Sequence, residues 1–288
     1  MKGPRELLEN EDHLVTRMGA WFPGERTVFR GKDLHRDFGD ADWMALYVYA
    51  ITGRRFSGVQ LELMNTMWVF TSYPDPRLWN NRVAALAGSA RSTGALALSA
   101  ALAVSEATVY GRRPDIRTLN FLQRIKSGLD RGESLPKLVQ AELARYRALP
   151  GYGRPVVRSD ERLDHLMRRA EALGLNRGPY VTLAFDIGRY LRASRRRLQM
   201  NYAVLTAAFC ADFGFTAREF YLFAFGAFLA GMIPCWIEAA ERPEGTFLPL
   251  SCRRIAFDGP GRRRWDDGPV GGTHAATGPL GTVSTDAS

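Results

Sequence analysis

The sequence predicts an all-α fold. Apolar residues recur at helical spacing through most of the 288 residues, between capping residues, glycines and prolines. Only one stretch, Arg26-Thr27-Val28-Phe29-Arg30-Gly31, reads as extended. No strand–helix–strand alternation appears, and no glycine-rich phosphate-binding pattern. The helices are too numerous for a single four-helix bundle.

In chain order, the first helix is expected over 40–52, with Gly39-Asp40 as its start signal and Gly53 as its C-cap. A second, over 59–71, is stopped by Tyr73-Pro74-Asp75-Pro76, because proline cannot donate and clashes with the preceding turn. Helices over 78–90 and 93–110 follow. Gly94, Ala97, Ala100 and Ala101 give the latter a small face that lets a neighbour approach closely. Segments 117–129 and 135–148 are amphipathic, and residues 150–155 (PGYGRP) form a rigid loop. Helices over 160–173 and 180–192 flank a turn at 174–178, and 202–213 and 218–240 close the set. Residues 266–288, rich in Gly, Thr, Ala and Ser without a hydrophobic period, are expected to be disordered.

With 46% hydrophobic and 24% charged residues, the composition is that of a globular chain, which excludes collagen, a wholly disordered protein and a disulfide mini-scaffold. The net charge is +9, and of 39 Lys and Arg only Lys2, Lys32, Lys126 and Lys137 are lysines. Such a surplus favours anionic partners, although the arginine bias also fits a GC-rich genome. Cys210, Cys235 and Cys252 are odd in number and at no metal-ligand spacing, so reduced, buried thiols are expected. Residues 1–11 are charged and lack a signal-peptide core, so a cytoplasmic protein is expected.

Residues 220–237 (FYLFAFGAFLAGMIPCWI) are 18 positions without a charge, at the lower edge of a membrane span. The chain's mean hydropathy is −0.20 and no second run is comparable. The favoured reading is a fully buried helix in a large core or a dimer interface, with a membrane span as the alternative.

Six short motifs in order resemble the citrate synthase superfamily. Phe29-Arg30-Gly31-Lys32-Asp33-Leu34 looks like its YRGYDI element, and Ile51-Thr52-Gly53 ends a helix similar to its LLLxG helix. Gly151-Tyr152-Gly153-Arg154-Pro155, followed by Asp160-Glu161-Arg162, is similar to its GFGHxVY and DPR pair. Asn201-Tyr202-Ala203 sits where the family has NVD. Residues 222–239 resemble its long apolar LFAISR helix, and Phe257-Asp258-Gly259-Pro260 its YxGP. The short chain brings it nearer the citryl-CoA-lyase-like branch. The resemblance implies a large and a small helical domain and an intertwined homodimer with its site in the interdomain cleft. It divides the chain into 1–112 and 201–264 for the large domain, 113–200 for the small one, and a tail over 265–288.

Family members make or break carbon–carbon bonds between an acyl-CoA thioester and an oxo acid. An Asp acts as base, two His stabilise oxygens, and arginines hold carboxylates. A weak carbon acid needs a positioned base and a hydrogen-bond donor acting together. This chain has only His13, His35, His165 and His274, none between positions 35 and 165, where both family histidines should fall. Arg112 or Arg113 stands near the first, Arg154 replaces the second, and Ala203 replaces the Asp. The arginine of the apolar helix falls within Gly226-Ala227-Phe228, whereas that of DPR survives as Arg162. Arginine keeps its proton at neutral pH, so it can stabilise an oxyanion or hold an anion but cannot be a base.

The resemblance therefore points to Arg112 and Arg154 as the groups next to the chemistry. Arg162, Arg158, Tyr152 and Arg254 are its substrate contacts. His165, one turn after Arg162, and Asp212, a stand-in base, are further candidates; the plain readings are a surface histidine and a helix cap. Arg195-Arg196-Arg197 with Arg189 and Arg192 is either a solvated face or a seat for nucleotide phosphates. Cys235 reads as an inert thiol. Neither a resident cofactor nor a metal is expected, and a CoA thioester is a possible substrate. Nucleic acid and membrane are not the expected partners. Two readings of function stay open: an enzyme of altered carbon–carbon chemistry acting on an anionic CoA ester or polycarboxylate, and a non-catalytic scaffold or regulatory dimer.

Overall fold

The computed structural model describes residues 3–13, 15–108, 111–146, 148–153, 160–196, 198–247 and 256–261. Residues 1–248 make one compact unit and residues 249–288 a second. In the second, only 256–261 are described, with Phe257 exposed against Gly259. The expected disorder of 265–288 lies outside the described residues.

The first unit opens with a short helix, α1 (Pro4–Glu9), and a three-stranded antiparallel sheet of β1 (Gly19–Phe22), β2 (Arg26–Phe29) and β3 (Lys32–Asp33). The extended reading of 26–31 thus holds over 26–29, with two neighbours, while Arg30 and Gly31 form a turn. Val28 pairs with Ala20 on one side and Asp33 on the other. Asp33 caps the single turn α2 (Leu34–Asp37), accepting from the backbone N–H of His35 and Arg36.

Among the described residues every later element is helical, as the pattern predicts, apart from one isolated β-bridge between Tyr152 and Met200. α3 (Trp43–Thr52) starts at Asp42, whose carboxylate accepts from Ala45 N, two residues later than expected. It ends at Gly53 in the left-handed region (φ 70°), as expected. Arg30 ties the sheet to this end, donating to Ala50 O and Ile51 O at 2.9 and 3.2 Å. α4 (Gly58–Val69) opens with a capping box between Ser57 and Gln60. Beyond the double proline come α5 (Trp79–Ser89) and α6 (Gly94–Val104), the latter capped by Thr93.

α7 (Arg112–Asp130) begins five residues before the expected 117 and α6 stops short of 110. Pro114 sits in the first turn of α7, where its missing N–H has no intrahelical partner to lose. Gly111 starts it at φ 100°, with Ser105 O only 2.0 Å from where a Cβ would be. α8 (Leu135–Tyr146), α9 (Arg162–Ala172), α10 (Pro179–Ala193) and α11 (Tyr202–Asp212) follow close to expectation.

The single long helix expected over 218–240 is broken. α12 (Ala217–Phe223) and α13 (Leu229–Glu241) are joined through a 3-10 turn at Gly226–Phe228. Within the single chain it is only partly buried: Ile233 and Ile237 are each 42% exposed. The break coincides with a close contact. A Cβ on Gly226 would lie 2.1 Å from the Trp68 ring, so the chain passes over that indole without a side chain. By length and composition 217–241 is apolar enough to cross a membrane, with a mean hydropathy of 1.8. No other described helix is.

The main core gathers α3, α4 and α7–α12 around Leu63, Met64, Phe121, Ile187 and Phe209. A second apolar cluster joins α5, α6 and α13 through Ala84, Ala101 and Met232. The small face predicted for α6 is used in part: Ala97 and Ala101 are fully buried and Gly94 lies against the Trp236 ring, whereas Ala100 is exposed. Cys210 and Cys235 are buried free thiols, and Cys252 lies outside the described residues.

Candidate functional site

The N-terminus of α11 is where three separate segments meet. Asn201 is its N-cap, with Oδ1 accepting from Ala203 N at 3.1 Å. Residues 151–153 run alongside 199–201: Gly153 N donates to Gln199 O, Asn201 N to Gly151 O, and Asn201 Nδ2 to Gly153 O at 3.0 Å. This approach requires glycine at 151. Its φ is 81°, and a Cβ would stand 2.4 Å from Val204 Cβ. The third segment is 160–162. Asp160, wholly buried in its side chain, accepts from Tyr202 N at 2.8 Å.

Asp160 also holds Arg162 in a bidentate pair, Nε and Nη2 each donating at 2.8 Å. The Arg162 guanidinium carbon lies 4.3 Å from the centre of the Tyr202 ring and 5.2 Å from that of Tyr73. Burial opposes its charge, but the bonds to Asp160 prevail and raise its pKa further. The side chain is 19% exposed, and among the described residues no group accepts from Nη1. Arg162 is thus a cation fixed by Asp160, with Nη1 left over among the described residues.

The tyrosines around it are donors. Burial, then the bond from Tyr73 Oη to Glu161 Oε1 at 2.7 Å, pushes the Tyr73 pKa up to about 12. Burial raises Tyr202 as well, and its hydroxyl donates to Met67 O. Both hold their protons at neutral pH. Tyr152 turns into the core, its hydroxyl donating to Ala184 O at 2.6 Å and its ring edge-on to Phe121.

Other candidates stand apart from this hub. Asp212 caps α10, accepting from Tyr180 N and Val181 N at 2.8 and 3.1 Å, the plain reading of that residue. Desolvation raises its pKa and outweighs those two bonds. His165 is exposed on α9, edge-on to Phe70. Arg112 opens α7, but its side chain, like Arg154, Arg158 and Arg254, lies outside the described residues. Among the described residues no His, Cys, Asp and Glu group could hold a metal.

The sequence profile of the citrate synthase C-terminal domain matches residues 17–245. This chain belongs to the citrate synthase family. Its fold is similar to citryl-CoA lyase from Hydrogenobacter thermophilus, with a TM-score of 0.76 and 19% identity over 87% of this chain and 96% of that one. It is also similar to an ATP citrate lyase mutant from Methanosaeta concilii in complex with (3S)-citryl-CoA (TM-score 0.65, 17% identity), covering 90% of this chain but 45% of that one. A citrate synthase from Thermoplasma acidophilum, in a ternary complex with carboxymethyl coenzyme A and oxaloacetate, matches at a TM-score of 0.60 and 18% identity over 78% and 59%. At these identities the likeness is one of fold. No curated protein matches by sequence.

Within this citrate synthase family member, three of the motif segments converge on one helix start. Asn201 and Asp160 were legible there as motif members. Tyr202 belongs to the same motif as Asn201, but its role beside Arg162, like that of Tyr73, was not legible: a tyrosine in a proline-rich turn and one opening a helix carry no signal of a shared cation.

Proposed function

We propose that this protein binds an acyl-CoA thioester or a polycarboxylate beside the start of α11 and performs carbon–carbon bond chemistry of lyase or acyltransferase type in the cytoplasm. The observation that carries this reading is the meeting of 151–153, 160–162 and 201–203 around the fixed Arg162 cation. The fold match over nearly the whole of a citryl-CoA lyase supports it.

Either direction of such a reaction passes through a thioester enolate, whose oxygen needs hydrogen-bond donors. Arg112 and Arg154 are proposed to supply them in place of histidines, while Arg162 offers Nη1 to a carboxylate, assisted by Arg158. Arg192, Arg195 and Arg196, exposed around the end of α10, suit nucleotide phosphates. Arg162, Tyr73 and Tyr202 hold their own protons, so in this reading the substrate's own carboxylate or an acid outside the hub moves the reacting proton. The second reading, a non-catalytic homodimer, is favoured by Ala203, which offers no acid where the family places one.

The test is a ligand screen by thermal shift and calorimetry with acetyl-CoA, longer acyl-CoA esters, CoA, oxaloacetate and citrate. A ligand that binds only the folded state raises Tm, by about 2.7 kcal/mol of stability at one hundred times Kd. A shift lost in Arg154→Ala supports the first reading. No shift with any of them supports the second.

A further inference from the structure

A groove of about 430 Å³ lies between α4 and α9. That volume falls in the range of small-molecule sites. Val69 and Phe70 line one wall and Ala172 the other, and His165 and Arg168 supply polar atoms. Arg169 also reaches the groove but is neutralised by Glu62. Arg168 is not neutralised: among the described residues no carboxylate pairs with it, and its Nη2 instead donates to His165 Nδ1 at 3.0 Å. Arginine is donor-only, so Nδ1 accepts and Nε2 carries the histidine's hydrogen. The groove thus combines an aromatic wall, one uncompensated cation and further N–H donors.

We infer that the α4–α9 groove is a ligand site in its own right, for a small organic monocarboxylate whose flat apolar body lies against Phe70 and Val69 and whose carboxylate meets Arg168. Charge favours a single anion, since among the described residues one cation of the groove is left without a carboxylate. Apolar lining excludes a bare inorganic ion as a good fit, because it would leave that wall wet. The groove shares both walls with the Arg162 hub: Phe70 precedes Tyr73 by three residues, and His165 follows Arg162 by one turn. A ligand here would press on both sides of the bond between Tyr73 and Glu161, which places it as an effector of the hub. The inference does not depend on what reaction the hub performs.

Phenylacetate is the probe, titrated into the full chain and followed by amide chemical shifts, with phenylacetamide as the uncharged control. We expect saturable shifts confined to 65–73 and 161–172, and no saturation with phenylacetamide. Arg168→Gln, an exposed change, should weaken binding about tenfold, the worth of one charge-assisted hydrogen bond. Ala172→Leu should abolish it by filling the groove. Shifts centred elsewhere, equal binding of phenylacetamide, or unchanged affinity in both variants would each overturn the inference.

Discussion

At the scale of single residues, the Asp160–Arg162 pair dominates. Removing one partner of a buried, hydrogen-bonded pair strands the other. Asp160→Asn should therefore cost about 3 kcal/mol in urea unfolding. Tyr73→Phe, which removes one bond from a part-exposed hydroxyl, should cost about 1 kcal/mol. Equal losses would show that Asp160 is no hub. Asp212 gives a pH signature. Its folded pKa is raised above its ordinary 3.8, so in that window the folded state holds more protons than the unfolded one. Its contribution to stability is then fully present below 3.8 and is lost as pH rises through the raised value. That loss should be missing from the pH profile of Asp212→Asn. Here the sequence revealed which residues matter more readily than what they touch. Arg162 stood out as a surviving arginine, but its pairing with Asp160 and its place between two rings are facts of tertiary packing that no local pattern encodes.

At the scale of elements, caps and breakers set the helices. Gly53, Ser57 with Gln60, Thr93 and Thr216 with Glu219 end or start helices where local chemistry says they should. The misses have equally local causes. Pro114 is accommodated in the first turn of α7, which starts earlier than the expected 117, while Gly226 at the break lies against Trp68, more than 150 positions earlier. The loop at Gly151 is the element most exposed to mutation. Gly151→Ala adds a Cβ at positive φ and forces Val204 aside, so we expect a loss of at least about 2 kcal/mol by denaturant titration, with the offset of α11 seen as lost amide protection at Asn201. A neutral outcome would mean that 151–153 does not sit on α11.

At the scale of the whole molecule, the all-α class was legible because helical periodicity runs nearly throughout and one short extended stretch stood against it. The way the segments meet was legible only through resemblance to a family. The outer faces of α5, α6 and α13 expose Trp79, Leu86, Leu96, Ile233 and Ile237. We expect these to be covered in a homodimer, with sedimentation equilibrium giving twice the 32.2 kDa chain mass. Leu96→Glu, at a site 67% exposed in the single chain, should return the monomer without unfolding it. A monomeric wild type would end the dimer proposal. The broken apolar run at 217–241 also bears on how the chain is made. Trp236 Nε1 donates to Ser92 O, 144 positions upstream. At about 5–20 residues per second, a ribosome finishes α5 and α6 roughly ten seconds before α13 emerges. The helices that this greasiest segment packs against thus leave the ribosome before it does.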